Sequence, residues 1–177
     1  MRILKKLRLI LIIIILTGFI IPQRFKMPVE KAGKQDYHQK SFWYYPWGKS
    51  VTHKGVDIFA SKGRNIFSST DGIILYRGEL PRGGKVILIL GPKWRLHYYA
   101  HLNEIDMERG IFVKSGSRIG SVGDTGNAAG KPPHLHYSIV TAFPYPWRAD
   151  KSRQGWKKIF YLDPIFYINK SLESRNH

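Results

Sequence analysis

The chain has 177 residues, a length typical of a single domain with a short appendage, and it contains no cysteine. Disulfides and thiolate metal sites are therefore excluded, and any bound metal must be held by His, Asp or Glu. The 29 Lys and Arg against 12 Asp and Glu give a net charge of +17, which fits a solvated surface or a polyanionic partner: nucleic acid, anionic lipid, membrane surface or acidic envelope polymers.

Residues 1–22 have the pattern of an export segment. Basic residues lie between Arg2 and Arg8, and the apolar run Leu9 to Ile21 follows without a charge. This run is shorter than the roughly 20 residues of a membrane-spanning helix and is typical of a signal peptide. Because no good pair of small residues marks a cleavage site, an uncleaved signal anchor is also expected. Either form of apolar helix would place the domain in the periplasm or on the outer face of the cytoplasmic membrane.

The chain after the export segment divides by composition. Residues 23–40 are polar and are interpreted as a linker, and residues 41–177 as the domain. The aromatic run 41–48 either packs against the domain edge or lines a groove. Short β-branched and aromatic runs separated by glycine turns then predict strands at 56–59, 72–76, 85–90, 95–100, 111–113, 118–121 and 135–141.

The predicted class is all-β, an antiparallel β-sandwich or open barrel. After Thr141, prolines at 144, 146 and 164 oppose long regular elements, so a wrapping aromatic and basic segment is expected there.

Histidines occur in three short motifs that suit zinc chemistry. The first, THKGVDIFA, contains His53 and Asp57; the others are HYYAHL, residues 97–102, and PPHLHYSI, residues 132–139. In a strand, residues i and i+2 share a face, so His134 and His136 are expected on one face, as are His97, Tyr99 and His101. A catalytic zinc needs three such ligands and an open position.

The spacing of His53 and Asp57 requires a bend. In a straight strand, four residues span about 13 Å, too far for two ligands of one zinc. Gly55 lies between them, and glycine accepts backbone angles that other residues avoid. A bend at Gly55 is therefore predicted.

Residues 53–140 resemble the lysostaphin or LytM type of zinc metallopeptidase in four motifs. In chain order these are HKGVDIFA, Ser69 to Ile73, YYAHL and Val113 to Ile139. The resemblance implies a duplicated hybrid motif fold and a zinc-dependent endopeptidase that hydrolyses peptide cross-links of bacterial peptidoglycan. The residues that it implies are metal ligands His53, Asp57 and His136, and catalytic residues His101 and His134.

The sequence departs from that family at two places. Tyr137-Ser138 stands where the family often has Phe-Glu, and residues 91–94 replace a turn that often carries His and Gly. His97 lies outside the signature and is predicted to be packed, and His38 and His177 are assigned no role. The alternative is a non-catalytic peptidoglycan-binding or hydrolase-activating module on the same fold. Nucleic-acid binding is disfavoured by the export segment and by the absence of a recognised motif.

Overall fold

An antiparallel sheet makes up most of the structure, a computed structural model that describes residues 2–106 and 110–174. The strands are β1 (Val56–Phe59), β2 (Asn65–Phe67), β3 (Gly72–Leu80), β4 (Gly84–Gly91), β5 (Arg95–Ile105), β6 (Phe112–Val113), β7 (Arg118–Val122), β8 (His134–Thr141) and β9 (Tyr161–Leu162). The main path runs β1-β8-β5-β4-β3-β6, while β7 pairs with β5 and β2, and β9 pairs with β8. The predicted antiparallel β class is confirmed.

The long strand β5 is where the sheet branches. Along one edge, residues Arg95 to Ala100 pair with β8 and residues Leu102 to Ile105 pair with β7. The other edge pairs with β4 and shows a register irregularity opposite residues 99–102. The two partners on the first edge therefore meet at Ala100 and His101, so this point of the fold brings several strands together.

All the predicted strand runs form strands, and β3 and β5 are longer than expected. Two strands, β2 and β9, were not predicted because they have only three and two residues. Runs of that length carry too little alternation to be distinguished from loop.

Residues 23–40, interpreted as a linker, pack into the core in this structure. Met27, Val29 and Tyr37 are buried in the same cluster as the strand residues. Main-chain hydrogen bonds join the segment to the sheet, since Phe67 N donates to Pro28 O at 2.7 Å and Lys26 N donates to Ser69 O at 3.0 Å. Burial of apolar side chains thus ties the segment to the domain. Of the predicted domain 41–177, residues 107–109 and 175–177 lie outside the described part.

The apolar helix expected at the N-terminus is present as α1 (Arg2–Ile20). It contacts the domain near its C-terminal end, where Trp94 Nε1 donates to Ile15 O at 2.9 Å and Phe19 packs on Phe143. Among the described residues, no helix combines the length and apolarity that crossing a membrane requires. The predicted signal anchor is therefore not supported, because the basic residues occupy the first two turns of α1 and shorten its apolar part.

The C-terminal segment contains a helix that the proline pattern argued against. Helix α2 (Pro164–Glu173) begins directly at a proline, and the Asp163 side chain accepts a hydrogen bond from Ile165 N at 2.9 Å. Proline is tolerated in the first helical turn because its missing N–H would have no intrahelical partner there. Pro164 therefore starts this element, and Ile165 and Ile168 bury its inner face in the core.

A buried polar network lies behind β5 and β8. His97 is 0% exposed, its Nε2 accepts from the Gln23 side-chain amide at 3.0 Å, and its Nδ1 contacts the Tyr137 hydroxyl at 2.5 Å. Arg95 also donates to the Gln23 side chain. Burial, reinforced by the charge of Arg95, lowers the pKa of His97 to about 3. His97 is therefore packed, as predicted, and it is neutral at neutral pH.

The buried neutral His97 predicts acid sensitivity of the fold. An unfolded histidine takes up a proton below a pKa of about 6.5 and the folded one does not, so stability is lost as pH falls from about 6.5 towards 3. From pH 7 to pH 5 we expect His97 to contribute about 2 kcal/mol of this loss. Urea unfolding of metal-free protein at both pH values measures it. In His97→Asn the loss should be smaller by that amount, and in the exposed control His38→Asn it should be unchanged; equal losses in all three proteins would contradict the prediction.

Candidate metal centre and active site

Strand register brings Asp57 and His136 together. In the β1–β8 pair Asp57 lies directly opposite His136, and in the β5–β8 pair Ala100 also lies opposite His136. Residues opposite each other in an antiparallel pair have side chains on the same face. The face that carries Asp57 and His136 is opposite to the one on which Tyr99 and Tyr137 enter the core. One face of this sheet thus packs on the core and the other carries the candidate ligands.

His53 completes a cluster of three potential ligands. Its Nε2 lies 3.1 Å from Asp57 Oδ1 and 3.2 Å from His136 Nδ1, and the last two atoms are 2.7 Å apart. Within the described residues, these three side chains form the group able to hold a metal ion. A tetrahedral zinc with ligands at about 2.0–2.1 Å has edges of about 3.4 Å. The three groups therefore fit a zinc ion after the shortest distance, Asp57 Oδ1 to His136 Nδ1 at 2.7 Å, opens by about 0.7 Å and the other two by less.

The neighbours of the two histidines orient the atoms that face the cluster. His53 Nδ1 contacts Ser41 O at 3.1 Å, so this nitrogen donates its proton to the carbonyl and Nε2 is left as a ligand atom. His136 Nε2 contacts Ser138 Oγ at 3.0 Å, which leaves Nδ1 to face the cluster. The Trp47 ring stacks on His53 with centroids 4.1 Å apart. Such outer contacts fix the tautomer and the ring plane of a metal-binding histidine.

The chain bends at Gly55, directly before β1, so the bend predicted between His53 and Asp57 is confirmed. The expected reason for glycine is wrong, since Gly55 is not among the residues with positive φ. A Cβ at this position would lie 2.5 Å from Tyr137 O and 2.9 Å from His136 Cε1. Glycine is needed here because β8 and the ligand His136 approach the backbone closely.

The Asp57 carboxyl is charged in this setting. Burial raises its pKa, but the adjacent imidazoles of His136 and His53 outweigh that effect and hold the pKa well below its ordinary value. An ionised carboxylate between two imidazoles is the charge state that a divalent cation needs. The cluster therefore offers one anionic carboxylate and two imidazole nitrogens.

His101 reaches the same face through an irregular backbone. His97 and Tyr99 lie on the core face, and regular alternation would place His101 there too, which is what the i, i+2 spacing predicted. That prediction is wrong for His101: its φ is +66°, at the register irregularity between β5 and β4. A bulge of this kind re-aims one side chain. The His101 ring accordingly lies 5.1 Å from the His134 ring and 6.0 Å from the His136 ring.

His101 and His134 are matched in their hydrogen bonding. His101 Nδ1 contacts Thr125 O at 2.9 Å and His134 Nδ1 contacts Pro132 O at 2.8 Å. Each Nδ1 must donate its proton to a carbonyl, so in the neutral ring each Nε2 is a free proton acceptor. Burial and then the nearby His136 and His134 lower the pKa of His101 to about 4, so it is neutral at neutral pH.

The structure thus brings together all five of the site residues predicted from the motifs and leaves His97 behind the sheet. It also shows neighbours that the motifs did not single out: Tyr98, whose ring lies 6.5 Å from that of His136, together with Ser138, Trp47 and Thr125. Ser138 could have been found from its i+2 spacing to His136. Trp47 and Thr125 contact the site from distant segments, and no sequence pattern predicts those contacts.

An open pocket of about 350 Å³ is lined by two of the candidate ligands, His53 and His136. The aromatic run 41–48 both packs and lines this pocket, because Trp43 is 9% exposed while Trp47 forms part of the wall. Positively charged side chains border the pocket from several segments, and burial followed by the charge of Lys157 lowers the pKa of Lys54.

Comparison with known proteins identifies several peptidases. The L-Ala--D-Glu endopeptidase of Bacillus subtilis is 36% identical over 124 residues, covering 65% of this chain and 37% of that protein. Peptidoglycan DD-endopeptidase ShyA of Vibrio cholerae is 33% identical over 97 residues, covering 54% and 22%. Murein hydrolase activator NlpD of Escherichia coli is 35% identical over 88 residues, covering 49% and 22%. The chain therefore spans well under half the length of these relatives.

Solved structures give the same result. A zinc-containing peptidase from Vibrio cholerae matches with a TM-score of 0.53 and 28% identity, covering 66% of this chain and 36% of that one. The catalytic domain of the antimicrobial peptidase lysostaphin from Staphylococcus simulans matches with a TM-score of 0.59 and 25% identity, covering 78% and 99%. The model of Peptidase family M23 matches residues 51–145, which contain the five histidine and aspartate residues of the site, and the chain belongs to this family.

Proposed function

We propose that the protein is a zinc-dependent endopeptidase that hydrolyses peptide cross-links of bacterial peptidoglycan. The observation that carries the proposal is the arrangement of two different sets of imidazoles on one face. His53 and His136 place ligand atoms beside Asp57, while the rings of His101 and His134 lie next to them with Nδ1 bonded to a carbonyl, which leaves Nε2 as the proton acceptor of the neutral ring.

His53, Asp57 and His136 are the proposed zinc ligands, through Nε2, Oδ1 and Nδ1. A zinc ion with three protein ligands supplies an open position, a water molecule of lowered pKa and polarisation of a carbonyl group. Ser41 O and Ser138 Oγ keep the two imidazoles in the ligating tautomer, and Asp57 supplies the negative charge.

His101 and His134 are the proposed catalytic residues. A neutral imidazole with a free Nε2 can take a proton from the attacking water and later return it to the departing amine. After protonation, the same nitrogen can donate a hydrogen bond to the developing oxyanion. The low pKa of His101 keeps it in the accepting form at neutral pH.

The substrate is proposed from the relatives, whose names include an L-Ala--D-Glu endopeptidase and a peptidoglycan DD-endopeptidase. Peptidoglycan lies outside the cytoplasmic membrane, so the proposal includes export of the domain. The basic and apolar segment 1–22 supports export, by the sequence pattern of a signal peptide. The positive charge of the chain would also hold it near an anionic envelope.

A non-catalytic activating role is the second candidate, because the relatives include murein hydrolase activator NlpD. The presence of all three ligand atoms and of both free imidazoles favours an enzyme, since a binding module has no need of a proton acceptor beside a metal site. Because both candidate functions use the same fold, a measurement of activity distinguishes them.

Zinc should bind stoichiometrically through the three proposed ligands. We expect His53→Ala and His136→Ala to weaken zinc affinity by about 100-fold or more, because each removes a directly bound atom. Ser138→Ala should weaken it by about 10-fold, since it only releases the orientation of His136. Chelator competition and metal analysis measure both effects, with His38→Ala as the matched control. Full zinc affinity in His136→Ala would rule out this ligand set.

Cleavage should depend on His101 without affecting zinc. His101→Asn is the informative change, because asparagine tolerates the positive φ at this position and the backbone is preserved. We expect kcat/KM to fall by about 10²- to 10⁴-fold while zinc content stays at that of the wild type. Mass analysis of muropeptides released from purified peptidoglycan reads the activity.

The same assay decides between the two candidates. If zinc-loaded wild-type protein releases no peptide from several types of peptidoglycan, the enzymatic proposal fails and the activating role is favoured. If the wild type is active and His101→Asn is equally active, the proposed role of His101 is refuted.

A further inference from the structure

The pocket over the metal ligands has an unbalanced positive charge. Its wall includes the cations Lys49, Lys54, Arg82 and Lys157, and the wall contains no carboxylate residue. The nearby carboxylate, Asp57, is already bonded to His53 and His136. Within the described residues, nothing in the pocket therefore neutralises these charges.

These cations converge on the pocket from three segments: the loop before β1, the turn between β3 and β4, and the C-terminal segment. Lys49 lies in a tight loop closed by Trp47 N donating to Val51 O at 2.9 Å, and Lys54 follows the ligand His53. Arg82 lies in the turn between β3 and β4, and Lys157 lies in the 3-10 helix Gly155–Phe160. Surface lysines that merely solvate a protein have no reason to meet around one cavity.

The turn that carries Arg82 and the ammonium of Lys54 are held in place by main-chain atoms. Lys54 Nζ donates to Ser50 O at 2.8 Å and to Thr52 O at 3.3 Å, which fixes the ammonium beside the pocket. The carbonyl of Arg82 accepts from Asn127 N at 3.0 Å, which anchors the turn that presents the guanidinium. These fixed positive charges would need little reordering to meet an anion.

Some lysines elsewhere in the chain have carboxylate partners, and one of them is the neighbour of a pocket lysine. Lys158 forms an ion pair with Asp150 at 2.5 Å, and Lys62 forms one with Asp124 at 2.8 Å. Lys157, whose side chain borders the pocket, makes no ion pair with a described carboxylate. Lys157 is therefore placed to contact an anion in the pocket, whereas its neighbour Lys158 is already paired.

We infer that this cleft recognises free carboxylates, so that the ligand is a short anionic peptide whose carboxylates have not been amidated. The inference rests on the proposed function for taking a peptide as the ligand. A volume of about 350 Å³ suits a few residues, and lysine and arginine donors bind carboxylates through charge-assisted hydrogen bonds. A peptide with neutral bridges or amidated carboxyls would leave the four cations without partners.

The test is direct binding of a matched pair of peptides to zinc-loaded full-length protein. The probes are the tripeptide Ala-γ-D-Glu-diaminopimelate with free carboxylates and the same peptide fully amidated, measured by isothermal titration calorimetry. We expect the free acid to bind about 10-fold or more tightly than the amide. Its advantage should shrink as ionic strength rises.

Matched variants locate the effect. Lys157→Gln and Arg82→Gln should each weaken binding of the free acid by about 3- to 10-fold and leave the amide unchanged. Lys114→Gln removes the same charge from an exposed residue after β6, at the far end of the strand order from β1, and should change neither. Equal binding of the two peptides, or an equal loss in Lys114→Gln, would overturn the inference.

Hydrolysis measured on the same samples separates the two proposals. If the wild type prefers the free acid but cleaves no peptidoglycan, the proposed function fails and carboxylate recognition stands. If the wild type cleaves free-acid and amidated stems with equal kcat/KM and binds them equally, the function stands and carboxylate recognition fails.

Discussion

The pairing of β1 with β8 is the constraint on which the candidate site depends. It sets Asp57 opposite His136, and the alternation of the two strands puts the apolar residues Ile58, Leu135 and Tyr137 on the core side. A slip of one residue would exchange these faces, burying the carboxylate and exposing the apolar residues. The burial of the core therefore selects the register that assembles the ligands, and the stability of the sheet and the geometry of the site share one cause.

The site is completed by irregular backbone. The bulge in β5 breaks the alternation of the strand at His101, where β5 changes its pairing partner from β8 to β7. A histidine with positive φ costs backbone energy, which is tolerated because pairing on both sides and the bond from His101 Nδ1 to Thr125 O hold it. His53 likewise depends on a non-strand segment, and Gly55 leaves the space that lets this segment lie against β8.

Electrostatic asymmetry separates the two sides of the sheet. Behind it, His97 is buried, neutral and hydrogen-bonded to Tyr137, so this histidine is part of the packed interior. In front of it, the imidazoles of His53 and His136 and four cations border an open pocket, and the Asp57 carboxylate contacts both imidazoles. Two histidines only four residues apart on β5, His97 and His101, thus have different environments and different chemistry.

Much of the site could be predicted from the sequence, because it depends on local spacing and residue chemistry. The absence of cysteine, the His-x-His spacing at 134 and 136 and the short distance from His53 to Asp57 indicated a histidine and aspartate metal site on β structure. Most strands were also predicted, because alternation and glycine turns are local signals. Helix α2 was not predicted, because proline usually interrupts a helix and only the structure shows that Pro164 lies in the first turn.

Only the tertiary structure determined the contacts between distant segments. The face of His101 depends on a bulge opposite β4, and the packing of residues 23–40 depends on the sheet that they cover. The ring of cations around the pocket joins residues from 49 to 157. A sequence determines which groups are available and how neighbours alternate, whereas long-range pairing and burial determine which of those groups meet, since both act between residues far apart in the chain.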